Sequence, residues 1–120
     1  MSLPFPFPTD PLHDVEWTPV APEKIIGGGE PQSAHKILYT SANGDFCSGI
    51  YACTTGKWTV NYTEDEFCTL IEGRVRMTHD NGTMAEFAAP QSFMIPAGFS
   101  GTWEPLTPVR KFFAIYERAA

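Results

Sequence analysis

The sequence predicts a single all-β domain. Three observations carry that prediction: apolar runs of strand length, turn residues every few positions, and no long window with a helical apolar period. The chain has 120 residues, 42% of them hydrophobic and 13% aromatic. That length suits one domain with its own core, and that apolar content is too high for a disordered chain. Its 11 prolines and 10 glycines favour many short elements over a few long helices.

Residues 1–35 read as an irregular, Pro-rich N-terminal arm. Prolines at positions 4, 6, 8, 11, 19, 22 and 31 fix φ and remove amide donors, which bars this stretch from the centre of a sheet. Gly27-Gly28-Gly29 is a flexible break rather than a phosphate loop, because no strand leads in and no GK[ST] follows. Phe5, Phe7 and Trp17 are costly to leave in water, so parts of the arm are expected to pack on the domain or on a second subunit.

Residues 36–120 are expected to form the domain itself. Lys36–Thr40 reads as a first strand and Asn43-Gly44 as a turn. Cys47–Cys53 and Lys57–Tyr62 follow as strands around Thr54-Thr55-Gly56. Glu66–Ile71 is the strongest β run, and Glu72-Gly73 turns it into Arg74–Thr78. His79-Asp80-Asn81-Gly82 is a hairpin turn, with Asn-Gly supplying the positive φ it needs, and Thr83–Phe87 returns. Ser92–Ile95, Gly101–Glu104 and Lys111–Tyr116 complete the set, with proline corners between them. So many short strands with such turns imply a sandwich or a barrel.

Charge and cysteine content narrow the function classes. Lys and Arg number 8 against 14 Asp and Glu, a formal charge of -6, which argues against a nucleic-acid partner that needs clustered cations. No apolar run approaches the ~20 residues that span a bilayer, so no membrane partner is expected. Met1–Pro8 lacks a basic region and alternates with proline, so it is not read as a signal peptide. Cys47, Cys53 and Cys68 form no CxxC pair, which fits reduced thiols and a cytoplasmic location. His13, His35 and His79 are too scattered to suggest a zinc site.

The segment Glu66-Phe67-Cys68-Thr69-Leu70-Ile71-Glu72-Gly73 resembles the end of the first cupin motif, G-x5-H-x-H-x3-4-E-x6-G. Pro90–Gly98 resembles the start of the second, G-x5-P-x-G-x2-H-x3-N. Tyr62–Glu66, Leu70–Val75, Ile95–Phe99 and Gly101–Glu104 followed by Pro108–Lys111 are similar to strings in one subfamily of small cupins. That subfamily is related to ureidoglycine aminohydrolase and to the ethanolamine-utilisation cupins. The resemblance spans residues 45–117 and implies a single-domain RmlC-like jelly-roll barrel, and a homodimer.

In that pattern two histidines, a glutamate and a third histidine hold a divalent metal. Here the histidine positions fall on Val60, Tyr62 and Gly101, and only Glu66 is kept. Hydrocarbon, glycine and a neutral phenol make a poor ligand set, so no metal and no other cofactor is expected. If Glu66 points inward, alternation turns Cys68 and Leu70 inward with it. Tyr62, Glu66, Cys68 and Trp103 are then the candidate ligand-binding residues, and Glu66, Tyr62 and Lys111 the candidates for acid–base work. Against these stands a plainer alternative in which Glu66 closes a satisfied internal network and Cys68 is a small buried hydrophobe.

Three functions follow as expectations. One is the binding of a small polar metabolite without the usual histidine-held metal. Another is an enzyme related to ureidoglycine aminohydrolase, acting on a nitrogenous or carboxylate metabolite. The third is a structural or accessory homodimer whose important surface involves the arm.

Overall fold

Alternating and β-branched stretches form strands wherever proline and glycine let them run, and the turns fall at the predicted punctuation. The structure, a computed structural model, describes residues 3–8 and 10–118. Its strands are β1 (Thr18–Pro19), β2 (Gln32–Thr40), β3 (Phe46–Cys53), β4 (Trp58–Asn61), β5 (Asp65–Glu72), β6 (Arg74–His79), β7 (Met84–Ala88), β8 (Ser92–Ile95), β9 (Ser100–Pro105) and β10 (Val109–Tyr116). A 3₁₀ turn over Pro22–Lys24 is the remaining regular element. No helix among the described residues is long and apolar enough to cross a membrane.

The strands pair antiparallel throughout and sort into two sheets. The larger has the order β1-β2-β3-β10-β5-β8, the smaller β4-β9-β6-β7. The fold is therefore all-β and cupin-like. Among the described residues no hydrogen-bonded ladder between named strands joins an edge of one sheet to an edge of the other, so the sheets lie as two layers instead of the fully closed barrel that was expected. At one seam a lone bridge pairs Ile25 with Trp58, and at the other Phe87 of β7 stacks on Phe93 of β8 with ring centroids 4.1 Å apart.

Two apolar clusters hold these layers. Trp58, Leu70, Val75, Ile95, Trp103 and Val109 belong to the core between the sheets. Leu12 from the arm packs with Ala34, Ile50 and Ala52, and with half-buried Phe112, on the outer face of the larger sheet. Phe7 tilts against Phe112, with ring centroids 5.5 Å apart.

Three local departures from the sequence reading have simple causes. β2 begins at Gln32 rather than Lys36, because Pro31 precedes the strand instead of interrupting it and Gln32 exchanges hydrogen bonds with Thr54. The short strand β1 forms inside the predicted arm at the sheet edge, where proline is tolerated. In the hairpin at His79–Gly82 only Gly82 adopts positive φ, at 93°, and the Asn81 carboxamide instead accepts the Thr83 amide.

Candidate functional site

Alternation sets which side chains meet between the sheets. On β5, Glu66, Cys68 and Leu70 face inward and Phe67, Thr69 and Ile71 outward, as their burial shows. On β10, Val109, Lys111 and Phe113 are buried, and β10 lies directly beside β5. Glu66 stands opposite Ile115 and Lys111 opposite Leu70, so Lys111 extends its long stem back along β5 past Cys68 to reach Glu66. Three polar side chains thus converge in an apolar interior.

Their contacts are close. The Lys111 ammonium donates to Glu66 Oε2 at 2.5 Å and approaches Cys68 Sγ at 3.3 Å. The Cys68 thiol donates to the same Glu66 oxygen at 3.1 Å. Glu66 is 5% exposed and Lys111 3%, so this ion pair is sealed from bulk water. The ammonium also lies 4.7 Å from the Trp103 ring centre and 5.1 Å from that of Tyr51, where the negative π faces favour a cation.

Protonation follows from these contacts. Burial works to lower the pKa of Lys111, but its interactions with Cys68, Glu66 and Tyr62 outweigh it, and the ammonium is held above the usual lysine range. Burial pushes the Cys68 thiol up to about 12. Tyr62 and Tyr51 are likewise raised, first by burial. At neutral pH the cluster is an ammonium, a thiol and two phenols around the Glu66 side chain.

A cavity of about 360 Å³ opens beside this cluster. Tyr62, Glu66, Trp103 and Lys111 line it, while Cys68 stands behind Glu66, with no measurable exposure, and steadies its carboxylate. No hydrogen bond joins Tyr62 to Glu66; Tyr62 forms a wall and packs on Phe99. Tyr51 and Trp58 also line the cavity and were missed as site residues. The inward face of β3, which carries Cys47, Tyr51 and Cys53, was the signal for Tyr51.

The remaining candidates are dispersed. His35 lines the cavity from β2. His79 accepts the Asn81 amide on Nδ1 and borders a second, apolar cavity of about 280 Å³ lined by Met77, Met84, Met94 and Phe99 among others. Asp65 accepts the Ala97 amide, which fixes the Pro96–Gly98 corner. Arg74 and Arg76 pair with Glu86, and Arg76 also with Glu104, so these two arginines do not neutralise the acidic residues near Glu66.

The residues do not fit the metal that a cupin pattern implies. Among the described residues no three His, Cys, Asp or Glu side chains are grouped to hold one. The Lys111 ammonium already occupies the cation's place beside Glu66. At Gly101, where the pattern has a histidine, an added Cβ would lie 1.9 Å from the Thr78 carbonyl oxygen, so no side chain fits there at all.

Comparison with known proteins agrees with this architecture. A family model described as the EutQ-like cupin domain matches residues 40–113. A Pseudomonas syringae pv. tomato protein of unknown function superposes with a TM-score of 0.75 at 24% identity, covering 87% of this chain and 45% of that one. The chain thus spans less than half the length of that protein. The Clostridium difficile EutQ protein gives 0.65 at 16% identity, over 81% of this chain and 79% of its own. A putative ethanolamine utilization protein Q from Salmonella typhimurium gives 0.64 at 18% identity, over 86% and 95%. These likenesses carry the fold. No curated protein sequence matches the chain. With the family model matching more than half of its residues, the chain belongs to the EutQ-like cupin domain family.

Proposed function

We propose that the chain is a metal-free cupin module that binds a small molecule between its sheets, with the two layers acting as the walls of a cupin barrel. One observation carries this reading: among the described residues a buried carboxylate, Glu66, is held in place through Oε2 alone while its residue lines an otherwise largely apolar cavity. A few convergent polar groups in an apolar hollow of this size are the usual make-up of a small-molecule site. Tyr62 and Trp103 supply walls, and Cys68 and Lys111 orient the carboxylate. Lys111 stays protonated and Cys68 stays a thiol, so neither is a ready base or nucleophile at neutral pH. That favours binding over turnover. The three free cysteines suit a reducing compartment such as the cytoplasm.

The test is a thermal-shift screen of small metabolites on the wild type and on Glu66→Gln. The expected result is at least one compound that raises Tm in the wild type and not in the folded variant. If every stabilising compound acts equally on both, Glu66 is a structural group and the reading is wrong.

A second reading, homodimerisation through the arm and the outer sheet face, has its own observation. Leu3 and Phe5 are 81% and 56% exposed, and Phe67 and Met94, which pair across β5 and β8, are 46% and 53% exposed. Two apolar surfaces on one chain are both covered if a second copy brings its arm to that face.

A further inference from the structure

The charge that the cavity accepts is set by how Lys111 is engaged. An ammonium has three protons. Those of Lys111 serve Glu66 Oε2 and Cys68 Sγ, and the rest of its surface lies over Trp103 and Tyr51. An anionic ligand would have to draw this ammonium away from Glu66 and then lie beside the Glu66 carboxylate in a low-dielectric interior, where like charges repel strongly. His35, the other basic side chain on the lining, is solvent-exposed, where water and salt screen its interaction with a ligand. A cationic ligand meets the opposite obstacle. Trp103 and Tyr51 already face one cation, and a second would sit next to it.

What remains for a ligand is one carboxylate acceptor, the Tyr62 hydroxyl, which makes no hydrogen bond to the described residues, and apolar surface. Glu66 Oε1 accepts no hydrogen bond from the described residues, since both bonds to this carboxylate end on Oε2. Ile37, Val60, Trp58, Phe113 and Ile115 make up much of the other lining. At about 360 Å³ the cavity stands near the small end of the range for small-molecule sites, roughly 300–1,000 Å³. We infer that the ligand is an uncharged molecule with an apolar, ring-sized body and an N–H or O–H group that donates to Glu66 Oε1. This inference rests on the ligand-binding reading above and deepens it.

Four probes of one ring size separate the possibilities: benzyl alcohol, toluene, benzoate and benzylammonium. They are titrated at neutral pH into the full chain carrying Trp17→Phe, so that fluorescence reports Trp58 and Trp103 on the cavity wall. Benzyl alcohol is expected to bind about tenfold more tightly than each of the other three, the size of one hydrogen bond to a charged acceptor. In the double variant Glu66→Met/Lys111→Met, which keeps the apolar walls, its advantage over toluene should vanish. Toluene binding as well as benzyl alcohol would overturn the donor assignment, and tighter binding of either ion would overturn the neutral class; in both cases the ligand-binding reading stands. If no probe perturbs the two tryptophans, the neutral class and the ligand-binding reading fall together.

Discussion

Lys111 and Glu66 illustrate how much a buried ion pair depends on both members. Each is nearly sealed from water, so removing one leaves an uncompensated charge. Lys111→Met should destabilise the fold by about 3–5 kcal/mol in urea unfolding, and Glu66→Gln added to it should restore a large part, because the pair is then replaced by uncharged groups of similar size. The same cluster sets the alkaline limit. Cys68 titrates near 12 in the fold against an ordinary 9.0, and Lys111 is raised above its ordinary 10.5. Where the folded pKa lies above the unfolded one, the folded state keeps a proton that the unfolded chain has lost, so stability falls as pH rises. The urea midpoint should therefore hold below pH 9 as far as these two groups are concerned. It should decline between pH 9 and 12 as the buried thiols of Cys68 and Cys53 and then Tyr51, Tyr62 and Lys111 come into play, and Cys68→Ala should make the first part of that decline shallower. A midpoint that is flat to pH 12 in the wild type would contradict the cluster as described.

At the scale of elements, glycine positions decide what the sheets can carry. Gly101 of β9 faces Val60 of β4 and His79 of β6, and the approach of the Thr78 carbonyl leaves no room for a Cβ. Gly101→Ala should part β9 from β6 and cost more than about 2 kcal/mol in urea unfolding, as overpacking and a disturbed ladder combine. Gly82→Ala in the exposed hairpin meets no neighbour and should cost only the strain of its positive φ, on the order of 1 kcal/mol. A larger loss at Gly82 than at Gly101 would refute this ranking. The strands themselves were largely legible in the sequence: Ser92–Ile95 was read residue for residue, and Glu66–Ile71 within one residue at each end. β1 was hidden, because a pair of residues including Pro19 has no periodicity to detect. Glu66 and Tyr62 were legible through the cupin pattern and alternation then turned Cys68 inward with Glu66, while Trp103 and Lys111 were candidates that no alternation placed. The partnership of Lys111 with Glu66 was not legible, because Lys111 meets Glu66 only through the β10–β5 register and the length of its stem, and neither is written in local pattern. Tyr51 was within reach of alternation along β3, but its contact across the interior with Trp103, which belongs to the other sheet, was not.

For the whole molecule, the arm decides how much apolar surface stays uncovered. Leu12 is 7% exposed and lies with Ile50 and Ala52 on the outer face of the larger sheet, while Phe7 meets Phe112 there. The arm is thus part of the fold along β2, β3 and β10, and the same face continues uncovered over β5 and β8 through Phe67 and Met94. Deleting residues 1–16 removes Phe5, Phe7, Leu12 and Val15 but keeps β1 in place. Two effects should follow. Thermal unfolding should shift to lower temperature, because Ile50 and Phe112 lose their cover. Under the homodimer reading, light scattering after size exclusion should show the full chain as a dimer and the shortened chain in a different state, because that reading has the arm cover the second copy. The cavity should be untouched, since none of the described residues of 1–16 lines it, so any ligand that stabilises the full chain should stabilise the shortened one as well. A shortened chain that remains a dimer of unchanged Tm would end the role proposed for the arm, whereas a lower Tm with a monomer in both forms would keep the arm as packing and remove the homodimer.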